Sequence, residues 1–165
     1  MSGGVSDALQ KIRKVADYQF GRGAGEKLFP ANVAITFSKK TGKMRHIYFE
    51  GKLLATLKPS TGLFTLSIEG AKRFIDAIQP KKLWVLVQDE ASSFVEKGKD
   101  VFAKHVSDAD EDIRPGEEVV VLNLKNDVIA VGRALLSGRE MKSFQRGVAV
   151  KVRKGNAEKI KREKM

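Results

Sequence analysis

Cations outnumber every other group in this sequence that could do chemistry: 31 Lys and Arg stand against 20 Asp and Glu, with two His and no Cys. Without cysteine there is no thiolate nucleophile, no cysteine-held zinc and no iron–sulfur cluster. His46 and His105 lie far apart and neither sits in a ligand spacing, so structural or surface roles outweigh metal binding. Asp108, Asp110, Glu111 and Asp112 form an acidic run that ends at Pro115-Gly116. The run lacks the sixth-place glycine and closing glutamate of a calcium loop and reads as a solvated turn. The glycines of GRGAG (Gly21 to Gly25) follow a helical pattern and precede GEKLFP. A dinucleotide fingerprint requires a strand before the glycines and a helix directly after. A tight turn, or backbone approaching an RNA phosphate, fits better. No GxSxG, HExxH or Walker pattern occurs. The expectation is a protein that is not an enzyme, with no cofactor and no metal.

What cations can do is neutralise phosphate. The net charge of +11 favours a polyanionic partner, because each neutralised phosphate releases counterions. The first eighty residues carry 13 Lys and Arg against 6 Asp and Glu, whereas residues 81–155 carry 14 against 12. The more basic half is therefore the first, and binding need not be confined to the second. In GVAVKVRKG, Val148, Val150 and Val152 point to one face of a strand and Lys151 and Arg153 to the other, with Lys154 following. This is either a phosphate-contacting strip or a solvated sheet edge guarded by lysines. Phe102 and Tyr48 have the rings to stack on an unpaired base, or serve as half-buried packing. In the first half, Lys39, Lys40, Lys43 and Arg45 crowd one hairpin, an electrostatic probe or a solubility surface.

The elements that must position these groups follow from periodicity. Leu9, Ile12, Val15 and Ala16, preceded by Val5, predict a helix over Asp7 to Tyr18 with Ser6 as its cap. Short alternating runs predict strands at Val33–Phe37, Met44–Phe49, Leu53–Lys58 and Leu63–Leu66, then a helix around Ala71–Ile78 that Pro80 ends. Pro80-Lys81-Lys82 marks a domain boundary. Beyond it, strands are predicted at Leu83–Val87, Lys99–Val106, Glu118–Leu124, Val128–Leu136 and Val148–Val152. A helix capped by Asp89 faces Ala91, Phe94 and Val95 to the core, and Gly98 closes it. Pro115-Gly116 suits a type II turn, and Asn126-Asp127 a hairpin. The fold class is α+β: a small antiparallel sheet with helices over 1–80, a pseudo-barrel over 81–155, and a basic tail over 156–165. Hydrophobic residues at 42% suffice for packed cores. No apolar run reaches the roughly 18 to 20 residues of a membrane span and MSGGVSDALQKIRKV is no signal peptide, so the expected location is the cytoplasm.

Four stretches carry a resemblance: ADYQFGRGAGEKLFP, TGKMRHIYFEGKLLATLKPSTGLFTLSIEGAKRF, KDVFAKHVSDADEDIRPGEEVVVLN and AVGRALLSGREMKSFQRGVAVKVR. Together they resemble the C-terminal region of archaeal tRNA-guanine transglycosylase, a region also found in the related archaeosine synthase family. Residues 81–155 resemble its PUA domain, a small RNA-binding barrel, and 1–80 the small domain before it. The resemblance implies an archaeal tRNA-modification setting with tRNA as the partner. It also implies that the catalytic barrel, with its aspartate nucleophile and cysteine-rich zinc site, is absent from this chain. Implied roles are a stand-alone tRNA-binding protein or an accessory subunit to a transglycosylase or archaeosine synthase in trans. The alternative is a ribosome- or translation-associated PUA factor. The residues implied to approach RNA are Lys97, Gly98, Lys99, Phe102, Lys104, Gly147, Lys151, Arg153 and Lys154. From the basic hairpin, Lys40, Lys43 and Arg45 are added.

Overall fold

The computed structural model describes residues 6–158; Val5 and the basic tail from residue 159 onward lie outside the described residues. The chain divides into two compact units, Met1–Pro80 and Lys81–Met165.

In the first unit, helix α1 spans Asp7–Phe20, and the Ser6 hydroxyl accepts from the Leu9 N–H at 3.1 Å. Leu9, Ile12, Ala16 and Phe20 form its buried stripe. The glycine-rich break leads into a second helix, α2 (Ala24–Leu28), that periodicity did not reveal because it is only five residues long. The Asp17 carboxylate accepts from the Gly25 N–H at 2.7 Å, and a Cβ on Gly25 would come within 2.3 Å of the Arg13 carbonyl oxygen. That glycine therefore lets two helices of this chain touch backbone to backbone. Strands β1 (Ala34–Phe37), β2 (Met44–Phe49), β3 (Lys52–Leu57) and β4 (Phe64–Leu66) form an antiparallel sheet in chain order. Helix α3 (Ile68–Ala77), capped by Ser67, completes the unit. Tilted ring pairs join Phe20 of α1 to Phe74 of α3, and Phe29 at the end of α2 to Phe64 of β4.

The second unit is a nearly closed barrel built on one six-stranded sheet. Its strands are β5 (Trp84–Val87), β6 (Val101–Phe102), β7 (Val106–Ala109), β8 (Glu118–Leu122), β9 (Val128–Ala134) and β10 (Val148–Gly155), in the order β6-β10-β9-β8-β5-β7. The β5–β8 pair is parallel and the rest antiparallel. Helix α4 spans Asp89–Glu96, with Gln88 in the cap position, so Asp89 opens the helix rather than capping it. The single strand expected over Lys99–Val106 is broken by a 3-10 turn at Ala103–His105. The first part of the acidic run is strand β7, not loop. A short helix α5 (Gly138–Ser143) was also not anticipated. Its Ser137–Glu140 capping box, legible as SGRE, was the signal for it. Gly116 has φ +92° and Asn126 φ +67°, as their turns require.

Candidate nucleic-acid interface

In the second unit, the stretch from Lys97 to Lys104 and the start of β10 are brought to one edge of the barrel. Helix α4 ends as the Gly98 N–H donates to Val95 at 2.9 Å and the Lys99 N–H to Phe94 at 3.1 Å, with Gly98 at φ +103°. This turn is fastened from behind. Gly155 at the end of β10 lies so close that a Cβ there would fall 2.2 Å from the Glu96 oxygen and 2.7 Å from the Gly98 nitrogen. The Ala157 N–H also donates to the Glu96 carbonyl at 2.8 Å. Lys97 and Lys154 flank this contact, both exposed.

Ahead of the turn, Phe102 pairs with Val148, and the Ala103 N–H donates to the Gly147 carbonyl at 2.9 Å. Phe102 stays 46% exposed and stands as a fin between two recesses. One, of about 190 Å³, lies against Lys104, Gln145, Arg146 and Gly147. The other, of about 240 Å³, lies against Phe94, Val95, Lys99, Asp100 and His105. The His105 ring meets Phe102 edge-on at 6.3 Å between centroids. An exposed ring with small apolar hollows on both sides and three cations around it can stack bases and pair phosphates in one place. Phe94, expected in the core, is instead 60% exposed and adds a second ring to this edge. Arg146 also belongs here and was not singled out from the sequence. Its signal was its position beside Gly147, whose φ of +94° and open surroundings leave bare main chain at the surface.

The cationic face of β10 is less free than alternation implies. Lys151 lies 3.6 Å from the Asp100 carboxylate, which also accepts from the Val152 N–H at 2.9 Å. Arg153 forms a forked ion pair with Glu118, one arm at 2.8 Å. The lysines at 99 and 104 and Arg146 have no ion pair among the described residues.

In the first unit, Lys40 and Lys43 are exposed on the β1–β2 loop, and Arg45 is half-buried at the start of β2. The Arg45 Nε is buried and lacks a hydrogen-bond partner among the described residues. Tyr48 is half-buried, its ring 6.2 Å from that of His46. The His46 Nδ1 sits 3.3 Å from the Thr36 hydroxyl. No group of three or more His, Cys, Asp or Glu among the described residues could hold a metal ion. No helix among them is long and apolar enough to cross a membrane.

Comparison with known proteins divides the chain at the same place. Residues 10–81 match the patch-forming domain C2 of tRNA-guanine transglycosylase, and residues 84–155 match the PUA domain. The tRNA-guanine(15) transglycosylase of Thermococcus kodakarensis is 48% identical over 149 residues, covering 90% of this chain and 25% of the relative. That of Methanobrevibacter smithii is 47% identical over 151 residues, covering 92% and 23%. The chain thus spans about a quarter of the length of these curated relatives. Among solved structures, a hypothetical protein from Pyrococcus horikoshii superposes with a TM-score of 0.75 at 25% identity, covering 96% of this chain and 95% of that one. A conserved PUA domain protein from Thermoplasma acidophilum shares the fold at a TM-score of 0.67 and 20% identity, covering 97% and 95%.

Proposed function

We propose that this chain, whose two halves match the patch-forming domain C2 of tRNA-guanine transglycosylase and the PUA domain, binds tRNA without itself breaking bonds. It acts alone or delivers tRNA to a catalytic transglycosylase or archaeosine synthase subunit. The observation that carries this reading is the meeting of Phe102, Lys99, Lys104 and Arg146 around exposed main chain at Gly147.

The physical fit is to folded RNA. A-form helices offer phosphates, 2′-hydroxyls and a shallow minor groove, and unpaired ends offer bases for stacking. The exposed main chain at Gly147 and the cations around it suit the first, and the Phe102 fin suits the second. The relatives are named for guanine 15 of tRNA, and the portion shared with this chain is the non-catalytic portion in this reading. If the chemistry sits on another chain, complex formation keeps tRNA at high effective concentration near it.

The test has two arms. In filter binding with the full chain, a tRNA transcript should bind with strong salt dependence. K99Q and K104Q should each lower the slope of log affinity against log salt by about one. Crosslinking in native cells should then recover tRNA acceptor-stem fragments. Salt-independent or absent tRNA binding overturns the proposal, and recovery of ribosomal RNA alone assigns the protein to translation instead.

A further inference from the structure

The first unit contains a matched pair of loops whose meaning is not exhausted by holding the sheet together. Residues 38–43 (SKKTGK) join β1 to β2, and residues 58–63 (KPSTGL) join β3 to β4. Three of their hydrogen bonds match. The first residue's N–H donates to the last residue's carbonyl: Ser38 to Lys43 at 2.8 Å, and Lys58 to Leu63 at 2.9 Å. The glycine N–H donates back to the first carbonyl: Gly42 to Ser38 at 2.8 Å, and Gly62 to Lys58 at 2.7 Å. The threonine hydroxyl accepts from the N–H two residues on: Lys43 to Thr41 at 3.2 Å, and Leu63 to Thr61 at 3.1 Å. Both glycines have φ +72°. Since β1–β2 and β3–β4 turn at the same end of an antiparallel sheet, the two loops are parallel jaws.

Between these jaws and the first turns of α1 lies a groove of about 640 Å³. Its apolar wall is Phe37, Met44 and Leu57, and Phe37 is 52% exposed despite its size. Its rim carries four cations, Lys11, Lys43, Arg45 and Lys58, against one carboxylate, Asp7. None of the four cations is in an ion pair among the described residues. The buried Arg45 Nε lacks an acceptor there, and a buried donor ordinarily has one. The groove thus sets a cluster of unpaired cations beside an exposed aromatic wall.

We propose that this groove takes one unpaired RNA nucleotide, its base against Phe37 and its flanking phosphates on Lys11, Lys43, Arg45 and Lys58. The volume falls within the range of roughly 300 to 1,000 Å³ typical of small-ligand sites, which admits a nucleotide and excludes a duplex. The wall supplies a stacking ring for any base and the rim supplies charge, so the site selects an unpaired position over a particular sequence. This inference rests on the RNA-binding reading above and assigns the first unit a contact of its own.

The experiment uses the full chain and a tRNA transcript carrying 4-thiouridine, with crosslinked peptides identified by mass spectrometry, alongside equilibrium binding. Crosslinks are expected on the peptide bearing Phe37 and Met44. F37A is expected to lower tRNA affinity about tenfold, the scale of one lost base–aromatic stack, with affinity for a blunt RNA duplex unchanged. The double variant K43Q/K58Q, whose exposed side chains leave folding intact, is expected to reduce the salt slope by about two. Parental affinity and slope in both variants, with crosslinks confined to the second unit, overturn the groove and leave the tRNA-binding reading standing. Failure of the parent chain to bind tRNA overturns both.

Discussion

Arg153 on β10 reaches past strand β9 to fork its guanidinium onto the carboxylate of Glu118 on β8. Glu118 is only 8% exposed and is the single buried charged residue among those described. The pair ties three strands across the face that sequence alternation marks as a phosphate strip. A buried carboxylate that loses its partner keeps its desolvation cost. We therefore expect E118Q and R153Q each to lower stability in urea denaturation by about 1–2 kcal/mol, the range for charge-assisted hydrogen bonds on a partly exposed pair. The double variant should cost less than the sum, because the pair is one interaction. Strict additivity would mean the fork contributes nothing to the fold.

Gly155 is where the end of β10 closes against the turn at Lys97 to Lys99. Alanine there would place Cβ 2.2 Å from the Glu96 oxygen, a backbone atom that cannot swing away as a side chain can. G155A is expected to lose about 1–3 kcal/mol and to weaken tRNA binding beyond the folded fraction, by shifting Lys97 to Lys99. For stability alone, G147A is the comparison: with nothing within 4 Å of the added Cβ, it suffers only the strain of positive φ. Equal melting temperatures for G155A and the parent would refute the close approach.

How far these relationships were visible beforehand depends on range. Strand β2 and the Ser6 cap were legible because alternation and capping are local and repeat over several residues. Helices α2 and α5 were not, since five or six residues are too few to show a period. The predicted strand over 99–106 hid a 3-10 turn, because β-propensity cannot register that Phe102 and Val106 pair with different strands. Phe94 had helical spacing and was assigned to the core, but α4 leaves it on the open side of the Phe102 recess. For the candidate site, charge runs and glycines pointed to segments that the fold brings to one edge of the barrel. Which cations are spent on Asp100 and Glu118, and the equivalence of the two Thr-Gly loops, depend on long-range pairing that a linear reading does not contain.

Lys142 makes two ion contacts, 2.7 Å from Glu111 and 3.3 Å from Asp108, joining α5 to the acidic segment. The hydrogen bond to Lys142 holds the Glu111 carboxyl below its ordinary value of 4.5, and the same bond raises Lys142 above 10.5. A carboxylate with a lowered value contributes stability above its unfolded-state value and loses it as pH falls through the folded one. A lysine with a raised value contributes below its unfolded-state value and loses it as pH rises through the folded one. The melting deficit of K142A should therefore be constant between about pH 5 and 10 and vanish in acid as Glu111 protonates. These groups are exposed, so 1 M salt should also erase most of it. A deficit that persists unchanged at pH 3 would assign Lys142 a packing role instead.

Stacking and charge at the second unit's edge can be told apart by salt. A phosphate contact releases counterions, so losing it changes both affinity and the salt slope. A stacked base releases none, so losing it changes affinity alone. F102A should therefore lower tRNA affinity about tenfold, the scale of one base–aromatic stack, with an unaltered slope. K104Q, against the same recess, should lower the slope by about one and affect blunt duplex and tRNA alike. Because Phe102 is nearly half exposed and its strand contact to Val148 is through backbone, the alanine should cost little stability, which thermal melting checks. A slope that drops in F102A would mean the ring only props up the neighbouring cations. An unchanged affinity would remove the fin from the interface.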